Sequence, residues 1–419
     1  MSDVRRMRMA PGGACELAEQ MRPTPAEGPG PMVAEALADV RARGDAALVD
    51  SIRRFDCPEF AGSDAIVDPA RIAEAQAALD PILRAAIDVA VSNVRAVAEA
   101  SCPTESDARL PEGQSVRIRA IPVGGAGVYV PGGRAAYPSS VIMGVVPAQV
   151  AGVGRIVVAT PAGPSGLPNP VVLAVAGILG VDEVVSVGGA AAIGALAFGT
   201  QTIERVDVIT GPGNSWVQEA KRQVFGTVGI DSIAGPSELV VLLDATADPV
   251  AIAADLLAQA EHGADSPSIA VAYGANVLDA LATALSEANP PVGTITLVDC
   301  ATQDDAIALA EAFAPEHLQL AISDAEAVAP RITRAGCVFL GPLGATAFGD
   351  YVAGSNHILP TGGAARHASS VGPATYMRRM ALVDIPQGAV DRLAPHLAAL
   401  ADAEGFPEHR RSAEVRSSS

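Results

Sequence analysis

All six histidines of the chain stand at or beyond position 262, and four lie near an acid or amide in sequence. Gln259 precedes His262 by three, Glu316 adjoins His317, Asp350 comes seven before His357, and Glu404 comes five before His409. Neutral imidazole is both a common metal ligand and the side chain that titrates nearest neutral pH. The candidate chemistry is therefore metal binding, proton transfer or both, in a site assembled from distant segments.

Asp248-Pro249 is a good helix start and Gly263 a plausible stop, which puts Gln259 and His262 in the last turn of one helix. Their spacing places both on one face, where an amide oxygen and an imidazole nitrogen can meet one divalent cation. A solvated helix end has the same pattern. Ala314-Pro315-Glu316-His317-Leu318 opens a predicted strand, with the proline expected to hold Ala314 extended. Two proton-handling groups fit there, and so do a surface glutamate and a half-buried histidine. Asp350 and His409 fall in loop-like surroundings and can complete an N/O ligand set. Cys337 sits inside a strand pattern and reads as a small buried hydrophobe.

Three glycine turns follow predicted strands: Pro131-Gly132-Gly133, Gly211-Pro212-Gly213-Asn214 and Gly235-Pro236-Ser237. In the second, a strand ending at Thr210 meets a helix beginning near Ser215, where free backbone N–H groups can hold a phosphate. None matches a dinucleotide or Walker pattern, so an ordinary strand-to-helix turn fits equally.

These residues need elements to position them. After a Pro/Gly-rich loop at 23–31, residues 32–55, 69–79 and 81–100 read as amphipathic helices. From 114 onward short β-rich runs alternate with helices: 116–121, 127–130, 155–160, 183–187, 205–210, 238–243, 269–273, 294–298, 317–322 and 337–340. That alternation predicts two parallel sheets flanked by helices, with the site where strand ends and domains meet.

With Lys+Arg 28 against Asp+Glu 47, the net charge of −19 disfavours nucleic-acid and anionic-membrane partners. Lys221 is the only lysine, a bias that genome base composition explains, and it leaves few candidates for a Schiff base. Five scattered cysteines without a Cys-x-x-Cys pair indicate reduced, mostly structural thiols. Arg5, Arg6 and Arg8 lack a following apolar stretch, which argues against a signal peptide and for the cytoplasm. The apolar runs 170–181 and 184–199 are too short to span a membrane.

Taken together, Tyr129-Val130-Pro131-Gly132-Gly133, Tyr137-Pro138-Ser139-Ser140, Gly211-Pro212-Gly213-Asn214, Ala234-Gly235-Pro236-Ser237-Glu238, Gln259-Ala260-Glu261-His262-Gly263, Pro315-Glu316-His317-Leu318, Gly349-Asp350-Tyr351 and Asn356-His357-Ile358-Leu359-Pro360-Thr361 closely resemble the histidinol dehydrogenase family, in order and nearly in spacing. The resemblance runs from about Val40 to His409. It implies a zinc- and NAD-dependent enzyme that oxidises L-histidinol to L-histidine through L-histidinal, the last step of histidine synthesis. By the same resemblance Gln259, His262, Asp350 and His409 match zinc ligands, and Glu316 and His317 match the acid/base pair. Ser237, His317, Glu404 and the zinc ligands match substrate contacts, while Tyr129 and Asn214 match NAD contacts. It further implies a homodimer whose tails complete the partner's site, through Glu404 and His409.

The expected architecture is α/β, with two incomplete Rossmann-like domains, a helical N-terminal segment and a small tail. Its expected divisions are 1–31, 32–122 with 239–371, 123–238, and 372–419. One position departs from the family pattern: Ala191 stands where a cofactor-contacting glutamine is usual. Three rival readings follow: a relative that oxidises another small alcohol such as sulfopropanediol, a zinc hydrolase using Glu316, and an inactive structural homologue. The residues leave the roles of His357, His367 and His396 open.

Overall fold

The computed structural model describes residues 4–23, 28–132, 136–274, 276–287 and 293–418. Gly133 of the first glycine turn and residues 24–27 of the expected entry loop lie outside them. Fourteen strands are defined among the described residues: β1 Val4–Arg8, β2 Ser106–Arg109, β3 Ser115–Pro122, β4 Gly125–Tyr129, β5 Arg155–Thr160, β6 Glu183–Ser186, β7 Val208–Thr210, β8 Gly229–Ile230, β9 Leu239–Leu243, β10 Ser268–Tyr273, β11 Ile295–Cys300, β12 His317–Ala321, β13 Cys337–Leu340 and β14 Met377–Asp384.

Two all-parallel sheets form, as the alternation predicts. One runs β6-β5-β4-β7-β8 and the other β1-β11-β10-β9-β12-β13. Strands such as Leu239–Leu243 are wholly buried because helices cover both faces, so they read as continuous apolar runs. Apart from the edge strand β1, in both sheets the chain starts centrally, at β4 and at β9, winds outward, then returns to the other side of that strand. The switch points lie between β4 and β7 and between β9 and β12.

Several elements differ from the sequence expectation. β1 was not expected: its sequence Val-Arg-Arg-Met-Arg has no apolar run, yet it pairs with β11 at the sheet edge, where arginines remain in water. β3 is not a parallel strand; it pairs antiparallel with β2 and β14 in a separate three-stranded sheet. The helix expected over 32–55 is two, Gly30–Arg43 and Asp45–Phe55, because Gly44 turns the chain at φ +58° and ψ −127°. The apolar period continues across that break and hides it. Asp350 and His409 lie in short helices, Thr346–Tyr351 and Pro407–Glu414, instead of loops. Ala314 is left-handed at φ 50°, ψ 65°, not extended, since it terminates the helix Gln303–Phe313.

Packing also regroups residues 30–101. Val33, Leu37 and Leu48 join the core around β5, β6 and helix Gly189–Phe198, while Ile87, Ala90 and Val94 join that around β4 and helix Pro138–Ala151. By packing, the named residues of this segment share cores with the five-stranded sheet. Met9, Leu17 and Met21 instead close the core of the six-stranded sheet.

At Gly44 an added Cβ would strike the Gln201 side chain, whose Oε1 accepts from the Asp45 N–H at 2.8 Å. Gly44→Ala is expected to lose about 2 kcal/mol or more of stability, read as a lower denaturant midpoint at unchanged slope.

Candidate active site

Adjacent parallel strands β9 and β12 set the site, because their register places His317 opposite Leu239. The residues just before each strand therefore meet at one sheet end. Glu316 and His317 are both buried, at 6% and 4% exposure. The Glu316 carboxylate accepts from Ser237 Oγ–H and from the Glu238 N–H, both at 2.7 Å through Oε2. The same oxygen lies 3.4 Å from His317 Nδ1, and Nδ1 is 3.2 Å from the Glu238 carbonyl. On the far side of the ring, Nε2 faces Asp350 Oδ1 at 3.4 Å. Burial works against a charged His317 ring, but the Glu316 and Asp350 carboxylates outweigh it and raise its pKa well above the usual imidazole value.

Asp350 is held in turn. Burial opposes its charge, yet the His317 contact and the fields of His317, His357 and His262 lower its pKa. Its backbone carbonyl receives the His357 ring at 2.8 Å through Nδ1, which must then carry the proton. His357 Nε2 is left to accept from Ser140 Oγ at 3.3 Å, and burial lowers the pKa of this ring. His357 and Ser140 thus tie Asp350 to the helix Pro138–Ala151 that follows β4. Asn356 reinforces the tie by donating to the Met143 carbonyl at 2.7 Å.

The helix Pro249–Ala260 starts as expected, with Asp248 accepting from the Val250 N–H, but it ends before His262, which sits exposed in the turn beyond. Gln259 is buried at 5% exposure with its Nε2 unpartnered. An amide's O and N are interchangeable by a flip, so a carbonyl oxygen fits the same place. This helix packs against Thr346–Tyr351, which carries Asp350, and His262 just beyond it lies close enough for its field to act on Asp350, at the corner beside His317. The donor set suits zinc: one amide oxygen waiting for a partner, one carboxylate and one imidazole.

The structure does not bring His409 or Glu404 to that corner. Among the described residues no three His, Cys, Asp or Glu side chains cluster as a metal site. His409 is exposed, its ring 5.1 Å from that of Phe406, and Glu404 ends the exposed-faced helix Gln387–Glu404.

Tyr129 and Asn214 lie at the β4/β7 switch point. Tyr129 is buried, its hydroxyl accepts from the Gly189 N–H at 3.2 Å, and burial pushes its pKa up to about 12. Asn214 caps helix Ser215–Val224, its Oδ1 accepting from the Trp216 and Val217 N–H groups, which leaves its amide NH2 available. Ala191 is buried in helix Gly189–Phe198 and offers the crevice no polar group. The five cysteines are free, and burial raises the Cys337 thiol, so it is not an activated nucleophile. No helix is long and apolar enough to cross a membrane among the described residues.

One residue of this network was missed in the sequence: Glu238 was read only as a strand and motif residue, whereas His357, its role left open, was the strongest candidate of the three unassigned histidines to line the pocket. Glu238 is 1% exposed, with Oε1 3.7 Å from the Arg22 guanidinium and accepting from the Gly362 N–H at 3.1 Å. Arg22 arrives from outside every motif, which is why no sequence signal pointed to the pair.

Two parallel sheets joined by the loop that holds a buried acid–imidazole pair define a two-sheet α/β enzyme. The family model for histidinol dehydrogenase matches residues 26–417. The chain is 43% identical over 399 aligned positions to the histidinol dehydrogenase of Nocardia farcinica, covering 90% of this chain and 88% of that protein. It is 44% identical over 391 positions to that of Rhizobium meliloti, covering 90% and 89%. The crystal structure of histidinol dehydrogenase from Elizabethkingia anophelis superposes with a TM-score of 0.94 at 32% identity, over 99% of this chain and 98% of that one. The chain belongs to the histidinol dehydrogenase family and is an NAD-dependent oxidoreductase of histidine biosynthesis.

Burial pushes the Glu238 carboxyl up to about 7, partly offset by Arg22 and reinforced by Glu316. A folded-state pKa above the unfolded one makes its contribution full below about pH 4 and lost as pH rises through 7. Glu238→Gln is therefore expected to match the parent's melting temperature near pH 5 and to exceed it at pH 8. A gap that widens toward acid instead contradicts this.

Proposed function

We propose that the chain oxidises L-histidinol to L-histidine through L-histidinal, with two NAD consumed and one zinc per site. The observation that carries the reading is the buried Glu316–His317 pair facing Asp350; His262, whose field acts on Asp350, and the buried, unpartnered Gln259 amide on the helix packed against Thr346–Tyr351 support it. Gln259, His262 and Asp350 would hold zinc, with His409 of a second copy as the fourth ligand. Bound there, zinc would supply a Lewis-acid anchor for the imidazole and amino nitrogens of an amino alcohol.

His317 Nε2 faces this corner and takes the hydroxyl proton in the first oxidation. In the protein alone two carboxylates hold a proton on that ring, so the base role belongs to the loaded site. Glu316, oriented by Ser237 Oγ–H and the Glu238 N–H, receives the proton of the water that adds to the aldehyde. Ser237 would also meet substrate. Tyr129 and Asn214 would hold NAD at the β4/β7 switch point, and first-turn N–H groups of Gly189–Phe198 other than Gly189, which bonds Tyr129, would stand in for the usual glutamine contact at Ala191.

The protein would act as a homodimer. The tail exposes Leu382, Val383, Ile385, Leu397, Leu400 and Phe406 beside Glu404 and His409, an apolar surface larger than scattered surface residues need. A second copy covering it would deliver Glu404 and His409 to the corner that lacks them. Soluble, cytoplasmic operation fits this reading, with no nucleic-acid or membrane partner.

Absorbance at 340 nm with limiting histidinol should give two NADH per molecule, falling after chelation and returning with zinc. NADH only with other alcohols such as sulfopropanediol overturns the substrate, and none at all favours a hydrolase or an inactive homologue. Glu316→Gln should slow oxidation of supplied histidinal by about 10²-fold or more while slowing the alcohol step less. Coexpressing His409→Ala with Glu316→Gln should restore roughly a quarter of parental activity, as random pairing in a twofold dimer gives one intact site per mixed pair. No restoration means the tail acts within its own chain.

A further inference from the structure

Helix Ser215–Val224 carries Lys221, the single lysine of the chain, at 0% exposure. Its Nζ forms an ion pair with Asp231, just after β8, and donates to the Gly211 carbonyl at 3.0 Å. Asp231 accepts from the Gly211 N–H at 2.8 Å through Oδ2 and from the Ser232 N–H at 2.7 Å through Oδ1. Both polar groups of one glycine are thus gripped by the two members of one buried ion pair. Gly211 stands at φ +118°, and a Cβ there would fall on the Tyr129 carbonyl oxygen. The turn is wedged between Tyr129 on one side and the ion pair on the other, and three residues later Asn214 caps the helix that carries Lys221.

We propose that Lys221, acting with Asp231, is a positioning residue for NAD: it fixes the Gly211–Asn214 turn at the height where Tyr129 and Asn214 flank the cofactor. The inference rests on the reading above that this turn contacts NAD. Composition points the same way. Of 28 basic residues 27 are arginine, so whatever replaced lysine elsewhere did not act at position 221. A guanidinium is planar and wider and brings five donors, more than this enclosed site can satisfy, whereas an ammonium reaches one carboxylate and one carbonyl. Breaking the pair strands a buried charge, so the pair must be tested in forms that still fold.

The full-length protein is compared with Lys221→Arg, which keeps the charge, Asp231→Asn, which keeps volume and an acceptor, and the neutral double variant Lys221→Met/Asp231→Asn. NAD affinity is read by titration calorimetry without substrate, alongside circular dichroism, zinc content and histidinol KM. In the variants that give a native spectrum, the NAD Kd is expected to rise roughly tenfold or more. Zinc content and histidinol KM should stay within about twofold. A lowered melting temperature with NAD affinity within about twofold of the parent overturns the proposal, since that is what a purely structural pair would give. Asn214→Ser, which retains the helix cap, separates the two readings. If Asn214→Ser leaves NAD binding unchanged, the turn is not the cofactor site; if it weakens NAD and the Lys221 and Asp231 variants do not, only the present inference fails.

Discussion

One carboxylate oxygen organises the site. Glu316 Oε2 is shared between the Ser237 hydroxyl, the Glu238 N–H and the approach of His317 Nδ1. A buried acceptor must be matched, and here the matching donors come from the loop that leaves the five-stranded sheet and enters the six-stranded one. Its position therefore fixes how that connection ends. Moving Glu316 would displace Ser237, the start of β9, and the carbonyl of Glu238 against which His317 rests.

That connection spans residues 231–238 and is anchored at both ends. Asp231 holds Gly211 beneath the β4/β7 switch point, while Ser237 and Glu238 hold Glu316. Six chain steps lead from Asp231 to Ser237, so the Gly211–Asn214 turn and the acid–imidazole pair are tied through ~20 Å of chain. The Gly235 N–H bond to Thr361 Oγ1 pins the middle. A second link runs from Asp350 through His357 to Ser140, from the six-stranded side to the helix after β4. Two independent ties across one seam leave the two sheets little freedom to drift apart, which is the requirement hydride transfer to NAD imposes.

How much of this was legible in the residues depended on whether the signal was local. Strand-helix alternation and the capped start at Asp248-Pro249 are local, and they gave two parallel sheets and the helix bearing Gln259. The turn after β7 was readable for the same reason, with Ser215 opening a helix. What failed was contextual. An arginine-rich strand reads as coil until a sheet edge accepts it, as with β1. Asp350 and His409 read as loop because six- and eight-residue helices carry too little periodicity to register. The site residues were legible chiefly through family resemblance, not local chemistry: nothing beside His317 in sequence says that Asp350 will face its other nitrogen, and nothing near Glu238 announces Arg22.

The two large sheets share one winding order but present opposite ends to the site. Tyr129 and the Gly211–Asn214 turn lie at carboxyl ends of β4 and β7, the usual place for a ligand in such a sheet. Glu316, His317 and Ser237 lie at the amino ends of β12 and β9, where that rule places nothing. The inversion has a physical logic. Carboxyl ends meet helix N-termini, whose free N–H groups suit an anionic cofactor. Amino ends meet the ends of returning helices such as Pro249–Ala260, where exposed carbonyls and the negative end of the dipole suit a cation. Gln259 lies at such a helix end and His262 just past it, while Tyr129 and the Gly211–Asn214 turn lie at the opposite, electropositive kind of end, so the two sheets present edges of opposite field.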